Sequence, residues 1–144
     1  GWRSLILCVA TDDHLGMTFH ELRQSQDRIL RERLLAISGG SRLWINHYTA
    51  KQFGTPLPEN VKVDEQFLEK AADDDFCFVE NLSPADYEKQ IKKIYLFKWN
   101  RVYPADTYFT IPLGEGGWKL IAEREFEGHS HKKITMEEWN HENQ

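Results

Sequence analysis

Cysteine is scarce in this chain, which has only Cys8 and Cys77 among 144 residues. Each lies inside an apolar run, Leu5-Ile6-Leu7-Cys8-Val9 and Phe76-Cys77-Phe78-Val79, the usual setting of a buried structural thiol. The pair gives no zinc spacing and no CxxC redox motif. No disulfide framework is expected, so a reducing cytoplasm is the expected location. Long hydrophobic runs are missing as well. No apolar stretch approaches the roughly 20 residues of a membrane-spanning helix. The short run from Leu5 to Ala10 meets Asp12 and Asp13 at once, which marks a first strand rather than a signal peptide. Charge of one sign is not concentrated anywhere. Eighteen Lys and Arg are interspersed with 23 Asp and Glu for a net charge of -5, which argues against nucleic acid as the partner.

What remains is an ordinary globular composition. Hydrophobic residues make up 40% and aromatic residues 12%, enough to build one core over one domain spanning residues 1–144. Ser4 to Ala10 reads as a strand buried on both faces, because its apolar run is continuous instead of alternating. Thr11 to Gly16 breaks it as a loop. Ser25 to Ile37 reads as a helix capped by Ser25, with Ile29, Leu30, Leu34 and Ile37 at helical spacing and Gly39-Gly40 as the stop.

Arg42 to Ile45 reads as a strand, Thr49 to Phe53 as a short helix, and Pro56-Leu57-Pro58 as a rigid loop. Val63 to Ala72 reads as a helix, Phe76 to Val79 as a buried strand, and Ser83-Pro84 as the start of another helix. Ile94 to Trp99, Trp118 to Phe126 and Ile134 to Trp139 read as strands, the last two an antiparallel pair. Alternating strands and helices imply an α/β fold: a mostly parallel central sheet with helices on both faces. Ligands of such sheets bind beyond the carboxyl ends of the strands. Those ends here carry Asp12 and Asp13, Asn46 and His47, Glu80 and Asn81, and Lys98 and Asn100.

Asp27 is the first candidate for chemistry. It lies early in the Ser25 helix, where the helix dipole favours a carboxylate. The other reading turns it towards the crevice, where partial burial would raise its pKa for proton handling. His129-Ser130-His131 has the alternation of two metal ligands on a strand, but it lacks a third ligand and is followed by Lys132 and Lys133; a solvated loop is expected and no metal site. Ser25 and Ser41 have no nucleophile-elbow context. The aromatic residues are core by spacing, with a tryptophan to spare for a flat ligand.

In order along the chain, these segments resemble the dihydrofolate reductase family. Leu5 to Ala10 through Leu15-Gly16-Met17 resembles its opening strand and mobile loop. Thr49-Ala50-Lys51-Gln52-Phe53-Gly54-Thr55-Pro56-Leu57-Pro58 resembles its T-x-x-S-I-G-x-P-L-P stretch. Lys93-Ile94-Tyr95-Leu96 and Asp106-Thr107-Tyr108-Phe109 resemble its K-x-Y-L strand and following D-x-x-F. The resemblance implies that Asp27 is the catalytic acid and that Thr107 holds its carboxylate. It implies that Ile6, Leu7, Cys8 and Arg31 contact a pterin-like substrate. It implies that Gly16, Met17, His47, Thr49 and Asn81 contact the cofactor NADPH.

Departures from the family are concentrated on the cofactor side. Glu80-Asn81-Leu82 replaces a glycine-rich turn, Asn46-His47 replaces Gly-Arg, and the strand between Pro58 and Val63 is expected to be deleted. Reduction of a pterin-like heterocycle is thus one expected function. The alternatives are a binding module for a nucleotide or heterocycle, with a pocket defined by Glu80, Asn81, His47 and Arg31, or an acidic protein-interaction domain. The reductase expectation rests on one geometric premise, that Asp27 and Thr107 lie side by side at the mouth of a cleft above the first strand.

Overall fold

A computed structural model describes residues 4–142. Its centre is a sheet built on β1 (Leu5–Thr11), with β6 (Phe76–Val79) and β7 (Ile91–Lys98) pairing parallel on either side. β4 (Leu43–Ile45) pairs parallel with β6, and β5 (Val61–Val63) parallel with β4. On the other side β10 (Ile134–His141) runs antiparallel to both β7 and β9 (Trp118–Phe126). The order across the seven strands is β5-β4-β6-β1-β7-β10-β9. A second, three-stranded sheet joins β3 (Leu22–Arg23), β2 (Gly16–Phe19) and β8 (Thr107–Tyr108).

Alternation along β1 splits the core between the two faces of the sheet. Leu5, Leu7 and Val9 point to a cluster with Phe67, Leu68, Ile94, Leu96 and Trp118. Ile6 and Cys8 point the other way, to a cluster with Leu30, Leu34, Phe97, Trp99 and Ile134. The helix α1 (Arg28–Ser38) covers this second face through Leu30 and Leu34, while α3 (Phe67–Lys70) covers the first. Helices therefore lie on both faces, as the alternating pattern implied. None of the described helices is long and apolar enough to cross a membrane.

Several boundaries differ from the sequence reading. The first helix starts at Arg28, and its cap is Asp27 rather than Ser25: Asp27 is extended and its carboxylate accepts from the Ile29 N–H. The helix expected from Thr49 is α2 (His47–Ala50), capped by Asn46, and residues 51–53 form turns. The strand expected to be missing is present as Val61-Lys62-Val63, so Val63 ends a strand and does not start a helix. Ala85–Gln90 is a 3-10 helix with Pro84 at its cap. The loop at residues 127–133, between β9 and β10, is not a solvated one throughout, because His131 within it is buried.

Candidate functional site

Asp27 is buried at 3% exposure, and its carboxylate is surrounded by donors. Oδ1 accepts from the N–H of Ile29 at 2.9 Å and of His129 at 2.9 Å. Oδ2 accepts from the N–H of Ser130 at 2.9 Å, from its hydroxyl at 3.1 Å, and lies 2.8 Å from His131 Nδ1. Burial by itself would raise the carboxyl pKa. The donors from His129, His131, Ser130 and Ile29 outweigh it and hold the group well below the usual carboxylate range. Asp27 is thus a fixed anion with its lone pairs filled. Gly128 makes this approach possible, since a Cβ there would stand 2.7 Å from Asp27 Oδ2.

His131 carries the network outward. An ionised carboxylate only accepts hydrogen bonds, so Nδ1 bears the proton that faces Asp27, and Nε2 is the nitrogen left to accept when the ring carries a single proton. Ser25 Oγ lies 2.9 Å from that Nε2, and the Tyr103 hydroxyl 3.4 Å from it. The ring is stacked on Trp99 with centroids 4.6 Å apart. Ser25, His131 and Asp27 therefore stand in the relative order of a hydroxyl, an imidazole base and an orienting carboxylate.

The crevice beyond β1 and β6 is closed by an ion pair. Arg23, on β3, donates from Nε to Glu80 Oε2 at 2.9 Å and from Nη2 to Oε1 at 3.0 Å. Its guanidinium lies over the Tyr48 ring, 4.3 Å from the centroid. The Thr49 hydroxyl donates to Glu80 Oε1 at 2.8 Å, and the Glu80 side chain is only 8% exposed. The space left between Ala10, Met17, Ser25, Glu80 and Trp99 is a cavity of about 10 Å³, room for a single water at most.

The remaining sequence candidates are scattered relative to this centre. Thr107 lies in β8, paired with Thr18 of β2, and contributes none of the hydrogen bonds to Asp27. Ile6, Leu7 and Cys8 are buried, but Leu7 faces the opposite side of the sheet from Ile6 and Cys8. Arg31 reaches Gln26 and Gln52. Gly16 and Met17, expected in a lid, are buried in β2, and the Gly16 N–H donates to Asp12 Oδ1 at 2.8 Å. Thr49 joins Glu80, and Asn81 accepts from Asn46 Nδ2 at 2.9 Å. His47 is exposed against Glu65.

A phosphorylated dinucleotide does not fit these residues. The N–H of His47 at the start of α2 already donates to Glu65 Oε2 at 2.7 Å, and that of Thr49 to Asn46 Oδ1 at 3.0 Å. The helix start is therefore occupied by an acid, and Glu80 at the end of β6 already holds Arg23 and the Thr49 hydroxyl. None of these donors is left for a phosphate.

Sequence reading took Ser25 for a helix cap without a nucleophile context and His131 for half of a metal-like pair in a solvated loop, and passed over Arg23. Their partners are 57 and 106 residues away along the chain for Arg23–Glu80 and Ser25–His131, and no local pattern announces such pairs. The one available signal was a histidine next to Gly128 and Ser130, small residues that let a loop approach a helix start.

No protein-family model and no curated protein matches the chain. Among solved structures it is similar to the dihydrofolate reductase from Enterococcus faecalis complexed with NADP(H) and RAB-propyl. The two share 10% sequence identity with a TM-score of 0.66, over 96% of each chain. This likeness, together with the parallel sheet and its antiparallel carboxyl-terminal pair, gives the chain a dihydrofolate-reductase-like fold.

Proposed function

We propose that this chain is a dihydrofolate-reductase-like binding protein that holds a small planar heterocycle against Glu80, in the crevice between β1 and β6, and that it does not reduce its ligand with NADPH. The observation that carries this reading is the mode in which Glu80 is satisfied. A planar guanidinium presents two parallel N–H donors to its two oxygens while stacking on Tyr48. An aminopyrimidine ring in its protonated form offers the same edge and the same flat face. Arg23 then acts as a tethered occupant that such a ligand displaces, with Met17 and Trp99 as apolar walls. Asp27, with its lone pairs filled, serves as a structural anion. The similar reductase carries NADP(H) and a second small molecule, which supports a small-molecule role for the fold.

Tryptophan fluorescence tests this, because Trp99 lines the crevice. Titration with 2,4-diaminopyrimidine should give a saturable change, and Glu80→Gln should weaken binding at least about tenfold, the equivalent of a lost charge-assisted hydrogen bond. NADPH should give none at millimolar concentration. Saturable NADPH binding with turnover would restore the reductase reading. Equal affinity of wild type and Glu80→Gln would remove Glu80 from the site.

A further inference from the structure

We infer that Ser25 is a nucleophile activated by His131 and Asp27, and that it takes short acyl groups from activated esters. This goes beyond the binding reading and does not depend on Glu80. Two distances carry it: Ser25 Oγ to His131 Nε2 at 2.9 Å and His131 Nδ1 to Asp27 Oδ2 at 2.8 Å. A hydroxyl is a weak nucleophile until a base takes its proton in the transition state, and an imidazole does this when an anion on its far nitrogen fixes the tautomer. Both requirements are met here. The anion is permanent, since its donors hold the Asp27 carboxyl far below the usual range, and stacking on Trp99 fixes the plane of the imidazole.

Space on the two sides of this constellation is unequal, and that sets the substrate class. On the Ser25 side the crevice leaves about 10 Å³. On the His131 side an open groove of about 500 Å³ is lined by residues 127–132. The narrow side admits the hydrolytic water alone, so the ester enters from the groove, a short acyl group keeping its carbonyl carbon within reach of Ser25 Oγ and the larger alcohol or phenol lying along residues 127–132. Within the narrow side the Gln24 Oε1 is buried without a hydrogen-bond partner among the described residues, an acceptor available to an incoming water.

The chemistry closes without a further reagent. Ser25 Oγ attacks the ester carbonyl carbon and its proton passes to His131 Nε2. The tetrahedral intermediate carries an oxyanion, for which the Tyr103 hydroxyl, sharing that nitrogen with Ser25, is the assigned donor. The carbon–oxygen bond to the leaving alcohol breaks, and that alcohol takes the proton from Nε2. Water then attacks the acyl-serine, gives its proton to the same nitrogen, and releases the acid as the proton returns to Ser25 Oγ. The sum is ester plus water to acid plus alcohol.

The test uses the intact chain with p-nitrophenyl acetate and, separately, an alkyl fluorophosphonate. The expected result is one covalent adduct, mapped to Ser25 by mass spectrometry, with p-nitrophenol release. Ser25→Ala should abolish both, and His131→Gln should slow acylation at least about 100-fold, the scale of losing a general base. Adduct mapping on the unaltered protein needs no variant to fold. No adduct, an adduct at Ser130 instead, or an acylation rate unchanged in His131→Gln would each overturn the inference. Loss of diaminopyrimidine binding in Glu80→Gln with Ser25 labelling intact would leave it standing.

Discussion

Asp27 and His131 are separated by 104 residues and meet at 2.8 Å, joining the start of the first long helix to the loop before the last strand. The contact is one of five that satisfy a single buried carboxylate, and its removal is the most direct probe of the fold. Asn at position 27 would keep one carbonyl for the Ile29 N–H, but its amide would face the Ser130 donors. Asp27→Asn should lower unfolding stability by about 2–4 kcal/mol, combining a lost cap with lost charge-assisted bonds. Urea denaturation measures it.

The same carboxylate gives the protein an acid limb. Its pKa is lower folded than unfolded, so the stability it contributes is fully present above the unfolded value of about 3.9 and is lost as pH falls below that value towards the folded one. Unfolding midpoints should drop on acidification below about pH 4, and the drop should be shallower in Asp27→Asn. An equal slope in the two proteins would contradict the assignment.

Gly128 is where space, not flexibility, demands glycine. A methyl group there would meet Asp27 Oδ2 at 2.7 Å and Ile134 Cδ1 at 3.0 Å. Gly128→Ala should cost about 1–3 kcal/mol by overpacking, read as a lower thermal midpoint, and should weaken Ser25 labelling by shifting the loop that carries His131.

Removing Arg23 uncovers Glu80. The change leaves a carboxylate that is 8% exposed without its cation, so Arg23→Ala should destabilise by about 2–3 kcal/mol. It should also raise diaminopyrimidine affinity, because the tethered competitor is gone. Calorimetric titration of the variant distinguishes this from a simple loss of structure.

Tyr95 reports the far edge of the second core face. Burial first, and the Glu138 charge second, push its phenol up to about 12. A tyrosinate absorbance step should persist near that pH, vanish in Tyr95→Phe and move downward in Glu138→Gln.

The central sheet was legible because its strands are buried on both faces. Continuous runs such as Leu5 to Val9 and Phe76 to Val79 leave little alternative. β5 was not, because Val61-Lys62-Val63 is three residues long with a charge in the middle, and only its pairing with β4 makes it a strand. The helix start was misplaced by two residues since Ser25 and Asp27 are both good caps; the loop at residues 128–131 chooses between them. Asp27 itself was picked out, but the family resemblance paired it with Thr107, whereas the donors come from His129, Ser130 and His131. Polarity of that loop read as solvation. The burial of His131 within it follows from Gly128 permitting close approach, which no local pattern encodes.

The cap of α1 has a bearing on how the chain acquires its shape. Synthesis delivers Asp27 about a hundred residues before the amides that surround it, so during translation the helix emerges with its carboxylate still hydrated. Docking of that carboxylate waits for the closing hairpin. Segments about a hundred residues apart thus consolidate together, and a ribosome-bound chain halted before β10 should expose the first helix to proteases.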